Sequence, residues 1–166
     1  LEKPDGSLDH DKFEAVLDDF RVFCKKSAAV GFNAITLDDL PHLATHPAYP
    51  EALQLKIAQY REKYEQFFNI AAEQGMSVFL TTDVMLCNDV LEKELGNSHP
   101  KIFDFLADAC KQVFMRHPAV AGIITRIGEC DSQDVRDKFR SKLTIKTPKH
   151  AREMMKRLLP TFERFN

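Results

Sequence analysis

The chain has 166 residues, of which 44% are hydrophobic and 29% charged, and its formal net charge is -2 at pH 7. A chain of this length forms one domain with a substantial core, so we predict a single domain over residues 1–166. The nearly balanced charge argues against nucleic acid as a partner, and no apolar run reaches the roughly 18 residues of a membrane span.

The first predicted elements are a helix and a short strand. Between residues 8 and 30, apolar side chains recur at steps of three and four, which predicts one apolar helical face. The segment 32–37, FNAITL, is short, apolar and rich in β-formers, and it predicts a strand. This strand leads directly into Asp38 and Asp39.

The same order of helix and strand recurs twice, and a last helical pattern closes the chain without a strand after it. The predicted strands are 76–82, MSVFLTT, and 120–127, VAGIITRI. The first ends at Asp83 and the second at Gly128 and Glu129. The helical faces run through residues 53–71, 102–114 and 151–162.

Strands that alternate with helices of this length indicate right-handed βαβ connections and a parallel sheet. The strands are apolar almost throughout, as expected where helices cover both faces of a parallel sheet. Acidic residues follow the strands at intervals of about 45 residues, at Asp38, Asp83 and Glu129. We therefore predict the α/β class, with alternating β/α units and parallel strands that form part of a (β/α)8 barrel.

The carboxyl ends of parallel strands meet at one edge of a sheet, where ligands bind in α/β proteins. Several charged residues fall at this edge, and a ligand or an ion pair must balance them. Each aspartate taken alone is also a common loop or cap residue, and Arg126 could simply pair with Glu129 or Asp83. The residues at this edge are Asp38, Asp39, Asp83, Arg126, Glu129 and Asp131.

Three segments resemble the second, third and fourth strands of the TIM-barrel glycoside hydrolases: GFNAITLDDL, GMSVFLTTDVM and AGIITRIGE. The resemblance implies that the chain is about half of a barrel, a fragment of a larger catalytic domain. It also implies that Glu129 is the general acid that protonates the glycosidic oxygen. The partner carboxylate would lie on a later strand, so the fragment alone would be inactive. The candidate sugar-binding residues are Asp38, Asp39, Asp83, Arg126 and Asp131.

Two other interpretations of the chain's function remain open. In the first, a metal-dependent barrel hydrolase or lyase holds a cation between Asp38, His42, Asp83 and Glu129. In the second, the chain is a non-catalytic α/β binding module whose acids are structural. His42 and His46 have the spacing of helical metal ligands, but the prolines around them oppose a helix there, so we predict no metal site.

No motif indicates a bound cofactor or a redox centre. The serine-hydrolase elbow, the P-loop and the dinucleotide glycine motif are missing, and the four cysteines, at positions 24, 87, 110 and 130, form no close pair. We predict no cofactor, a carbohydrate substrate as the partner, and neither nucleic acid nor a membrane. A half-barrel would have open sheet edges, which favour a homo-oligomer.

Overall fold

The computed structural model describes residues 1–38, 40–84, 86–128 and 137–165. The predicted α/β class is confirmed, with helices between the strands of a parallel sheet. The helices are α1 (His10–Ala29), α2 (Glu51–Glu73), α3 (Asp89–Leu95), α4 (His99–Arg116) and α5 (Pro148–Phe165), and a 3-10 turn spans Leu40–His42. The strands are β1 (Ala34–Leu37), β2 (Ser77–Asp83), β3 (Leu86–Cys87), β4 (Val120–Arg126) and β5 (Arg140–Ser141).

The main sheet has the order β1-β2-β4, and both of its strand pairs are parallel. Helix α2 connects the first pair, and α3 and α4 connect the second, which is the βαβ arrangement expected from the sequence. The register places Leu37 beside Leu80 and Asp83 beside Arg126. The ends of the three strands therefore meet at one edge.

Helices cover one face of this sheet, and the opposite face is open within the described residues. Along β2, Val78, Leu80 and Thr82 are buried on the helix side. The register puts Thr36 of β1 and Ile124 of β4 on the opposite face, and both are exposed. The sequence had predicted cover on both faces, and the structure corrects that expectation for the described part of the chain.

The core lies between the helices and the covered face of the sheet. The apolar stripe of α1 packs on α2, where the Phe20 and Phe67 rings meet edge to face at 5.1 Å. At the other end, α5 packs on α4, with Phe114 and Phe162 in a similar contact at 5.9 Å. Aromatic pairs of this geometry add to the burial of apolar surface. No helix among the described residues is long and apolar enough to cross a membrane.

Two features were missed by the sequence analysis. Strands β3 and β5 pair antiparallel through only two residues each, with Leu86 beside Ser141. The short helix α3 begins after Asn88, whose side chain accepts a hydrogen bond from the backbone N–H of Leu91. Both features lie in loops that follow strands, so they add walls to the carboxyl side of the sheet.

Candidate functional site

Three of the predicted site residues meet at the carboxyl edge of the sheet. Asp83 and Arg126 end the neighbouring strands β2 and β4, and Arg126 Nε lies 2.8 Å from Asp83 Oδ1. Asp38 follows β1, and its Oδ1 lies 3.6 Å from Arg126 Nη2. The Thr81 hydroxyl donates a hydrogen bond to the same Asp38 oxygen. We call Asp38, Asp83 and Arg126 the sheet-edge trio.

The members of the sheet-edge trio differ strongly in exposure. The side chain of Asp83 is 1% exposed, that of Arg126 is 29% exposed and that of Asp38 is 65% exposed. Within the described residues no group donates a well-aligned hydrogen bond to the Asp83 carboxylate. The short contact to Arg126 therefore stabilises Asp83 through charge attraction, which a buried carboxylate requires.

This geometry matches one of the alternatives that the sequence left open, in which Arg126 pairs with Asp83. The pair fixes the guanidinium at the strand ends. Asp38 is different, because its carboxylate faces solvent and lies at the margin of ion-pair distance from Arg126. Of the trio, Asp38 is thus the group most accessible to a ligand.

The other predicted site residues, Asp39, Glu129 and Asp131, lie outside the described residues. Glu129 comes three positions after Arg126, the last residue of β4. Its proposed role therefore depends on the sequence and on the strand that precedes it.

A second group of polar and charged residues joins helix α2 to segments outside it, and the sequence analysis did not find this group. His42 Nε2 lies 3.0 Å from Asp137 Oδ2. Lys56 donates to both oxygens of Asp137, at 3.0 and 2.8 Å, and to Glu2 Oε1 at 3.3 Å. Tyr60 donates to the same Glu2 oxygen at 3.0 Å. We call these five residues the rim network.

Burial and charge pairing act in opposite directions in the rim network. Burial alone would raise the pKa of Asp137, but hydrogen bonds from His42 and Lys56 hold the pKa below its ordinary value of 3.8. Burial would lower the pKa of Lys56, but Asp137 and Glu2 hold it above 10.5. Asp137 and Lys56 are therefore both charged at neutral pH.

The rim network includes a set of side chains of the kind that binds metals. Ligand atoms of Glu2, His42 and Asp137 all lie within 4.8 Å of one another. However, the Lys56 ammonium already lies between the two carboxylates and supplies the positive charge that a cation would bring. Among the described residues this is the group close enough to share an ion, and it leaves out Asp38 and Asp83. The geometry thus gives no support to a cation held by Asp38, His42 and Asp83.

A cleft of about 770 Å³ opens beside the rim network, and both Lys56 and Asp137 line it. A much smaller cavity of about 20 Å³ lies behind Asp83, against Leu40 and Phe105. Of these two, the cleft is the one large enough for a small-molecule ligand.

Comparisons with protein-family models, with curated proteins and with solved structures found no match to this chain.

Proposed function

We propose that the carboxyl edge of the sheet is the substrate edge of a carbohydrate-active enzyme of the glycoside hydrolase type. The observation that carries the proposal is the convergence of Asp38, Asp83 and Arg126 from the ends of three neighbouring parallel strands. Ligands bind at this edge in parallel α/β proteins. In the same proposal the three strands are part of a (β/α)8 barrel.

Each member of the sheet-edge trio has a distinct role in this proposal. Asp83 is buried and holds the guanidinium of Arg126 in place. Arg126 presents planar N–H donors to the oxygens of the substrate. Asp38 accepts hydrogen bonds from sugar hydroxyls, since its carboxylate is exposed. Asp39 and Asp131 are further sugar-binding residues.

Glu129 is the proposed general acid. It must carry a proton and deliver it to the glycosidic oxygen as the bond to the leaving group breaks. The reaction needs a second carboxyl group, at about 5 to 5.5 Å for retention or about 6.5 to 9.5 Å for inversion. In this proposal that group belongs to a part of the enzyme beyond these residues.

A second candidate is a non-catalytic α/β binding module. The observation that favours it is the burial of Asp83 against Arg126, because an ion pair that only closes the sheet end would look the same. Under this alternative the charges stabilise the strand ends and the edge performs no chemistry.

Substitution of Asp38 separates the two candidates. We expect Asp38→Asn to lower kcat/KM of the full-length protein on oligosaccharides at least 10-fold, with unfolding midpoints unchanged, because the exposed carboxylate acts on substrate rather than on stability. Asp18→Asn, an equally conservative change at an exposed position of α1, is the matched control. Activity that is equal in both variants and wild type would contradict the role of Asp38, whereas a wild type without activity on any oligosaccharide would contradict the proposal and favour the binding module.

The proposal also includes self-association of this chain. The outer edges of β1 and β4 have no strand partner among the described residues, and open edges with apolar side chains favour pairing. Ile124 of β4 is 43% exposed. We expect sedimentation to show a dimer or larger assembly that Ile124→Lys dissociates, whereas a wild-type monomer at high concentration would contradict this part.

A further inference from the structure

The cleft of about 770 Å³ lies on the carboxyl side of the sheet, as does the sheet-edge trio. Its walls come from residues 50–56 after β1, residues 88–90 after β2 and residues 137–138 after β4. Residues 5–7, which precede α1, complete it. Three of these four segments follow strands, and that is where α/β proteins place binding sites. Its volume of about 770 Å³ suits a ligand of several rings.

Charged groups in the cleft wall are fixed in place before any ligand arrives. Lys56 and Asp137 line the cleft and belong to the rim network, where each is held by at least two partners. Asp89, also in the wall, accepts a hydrogen bond from Arg140 at 2.9 Å. Groups held in this way lose little freedom when they bind a ligand, which favours affinity.

The backbone is strained at one point in this wall. Lys138 has a φ of 57°, a left-handed conformation that a lysine seldom adopts. It is the only such non-glycine residue in the part of the chain that the structure describes. Strained backbone of this kind collects at functional sites. This conformation occurs in the cleft wall, directly after Asp137.

The mixture of charges indicates the chemical class of the ligand. The wall carries three carboxylates, two ammonium groups and the amides of Gln59 and Asn88, above apolar side chains such as Leu53 and Val90. A ligand with a net charge of either sign would meet like charges here. Hydroxyl groups avoid this conflict, because each can donate to a carboxylate and accept from the Lys138 ammonium or the Gln59 amide.

We infer that the cleft is a second binding site, separate from the sheet-edge trio, and that it takes a neutral, hydroxyl-rich saccharide chain. The saccharide class rests on the proposed function, since a carbohydrate-active enzyme gains from binding its polymer beyond the reacting bond. The site itself rests on the cleft, its fixed charges and the strained Lys138.

Titration with defined oligosaccharides tests the inference. The chain is labelled with ¹⁵N and titrated with cellopentaose, xylopentaose and maltopentaose, and with charged pentamers of galacturonic acid and glucosamine. We expect a neutral pentamer to shift the amides of Gly6, Gln59 and Asn88 in a saturable way. Gln59→Ala should weaken that binding at least 5-fold. Gln66→Ala is the matched control, because it removes the same exposed side chain from α2 outside the cleft.

The location of the shifts distinguishes this inference from the proposed function. Shifts at the cleft alone would support the inference and count against the sheet edge as the binding site. Shifts confined to Thr81, Ile124 and Arg126 would overturn the inference and leave the proposed function standing. Binding at neither place, equal losses in both glutamine variants, or tighter binding of a charged pentamer would each overturn the inference.

Discussion

The sheet-edge trio and the rim network each bring carboxylates close together, but the negative charges are balanced in different ways. The rim network joins side chains from separate segments of the chain, and its charged groups are at most 15% exposed. Hydrogen bonds link its carboxylates to Lys56, His42 and Tyr60. In the sheet-edge trio, two carboxylates share Arg126, and exposure rises from 1% at Asp83 to 65% at Asp38. The rim network stabilises the segments that it joins, whereas the sheet-edge trio leaves the Asp38 carboxylate accessible to a ligand.

The largest expected effect comes from breaking the buried pair of the sheet-edge trio. Arg126→Met leaves the Asp83 carboxylate buried without its charge partner, and we expect a loss of about 3 kcal/mol in the free energy of unfolding, measured in urea. The double variant Asp83→Asn with Arg126→Met should recover part of this loss, since it buries no charge. A loss below about 1 kcal/mol in the single variant would show that the pair does not stabilise the strand ends.

The rim network should respond to pH as well as to mutation. We expect Asp137→Asn to cost about 2 kcal/mol at pH 7, because it removes a charged acceptor shared by His42 and Lys56. The pKa of Asp137 is lowered on folding, so its contribution is present above pH 3.8 and is lost as the pH falls through the folded pKa. The free energy of unfolding in urea, measured from pH 5 to 2, should therefore fall more steeply for wild type than for the variant. Parallel curves would contradict this account of the network.

Away from both charged groups, the pairing of β2 with β4 allows a packing test at Phe79 and Gly122. A Cβ added at Gly122 would lie 3.0 Å from two carbons of the Phe79 ring. We expect Gly122→Ala to cost about 1 to 2 kcal/mol through this overlap. Phe79→Leu in the same chain should relieve part of the cost, as thermal unfolding would show. If the double variant is as unstable as the sum of the singles, the two residues do not interact.

The smallest expected effect concerns His117, which is buried like His42 but is not part of the rim network. Its ring packs on Phe68 at 5.1 Å, and neither ring nitrogen has a hydrogen-bond partner among the described residues. Burial lowers the pKa of His117 below 6.5, so the unfolded chain takes up a proton first and stability falls as the pH drops below that value. We expect His117→Leu to change stability by less than about 1 kcal/mol at pH 7.

The same substitution should flatten the stability curve between pH 7 and 5. His46→Leu, at a less buried histidine, is the control and should keep the wild-type slope. An unchanged slope in His117→Leu would show that the proton uptake belongs to another group.

The sequence predicted the parts of this structure that depend on local pattern. Apolar runs located β1, β2 and β4 to within two residues, and their alternation with helices predicted parallel pairing. Since parallel strands end at one edge, the convergence of Asp38, Asp83 and Arg126 followed from the same pattern.

The rim network could not be found in this way, because its members are far apart in the chain. His42 and Asp137 are separated by 95 positions, and their contact depends on how two loops pack. From the sequence alone, Lys56 and Tyr60 could be identified only as positions on a helix. The pairing of β3 with β5 extends over two residues, too few for a period-two pattern to show. Only the capping residue Asn88 and Gly96 at the end of α3 gave a local signal for that helix.

The most direct test of the central proposal is the dependence of activity on the leaving group. The full-length protein, wild type and Glu129→Gln, is assayed on aryl glycosides with activated leaving groups and on natural glycosides with poor ones. If Glu129 is the general acid, the variant loses at least 100-fold in kcat/KM on poor leaving groups and much less on activated ones. Equal rates for the two proteins on all substrates would contradict the proposed mechanism.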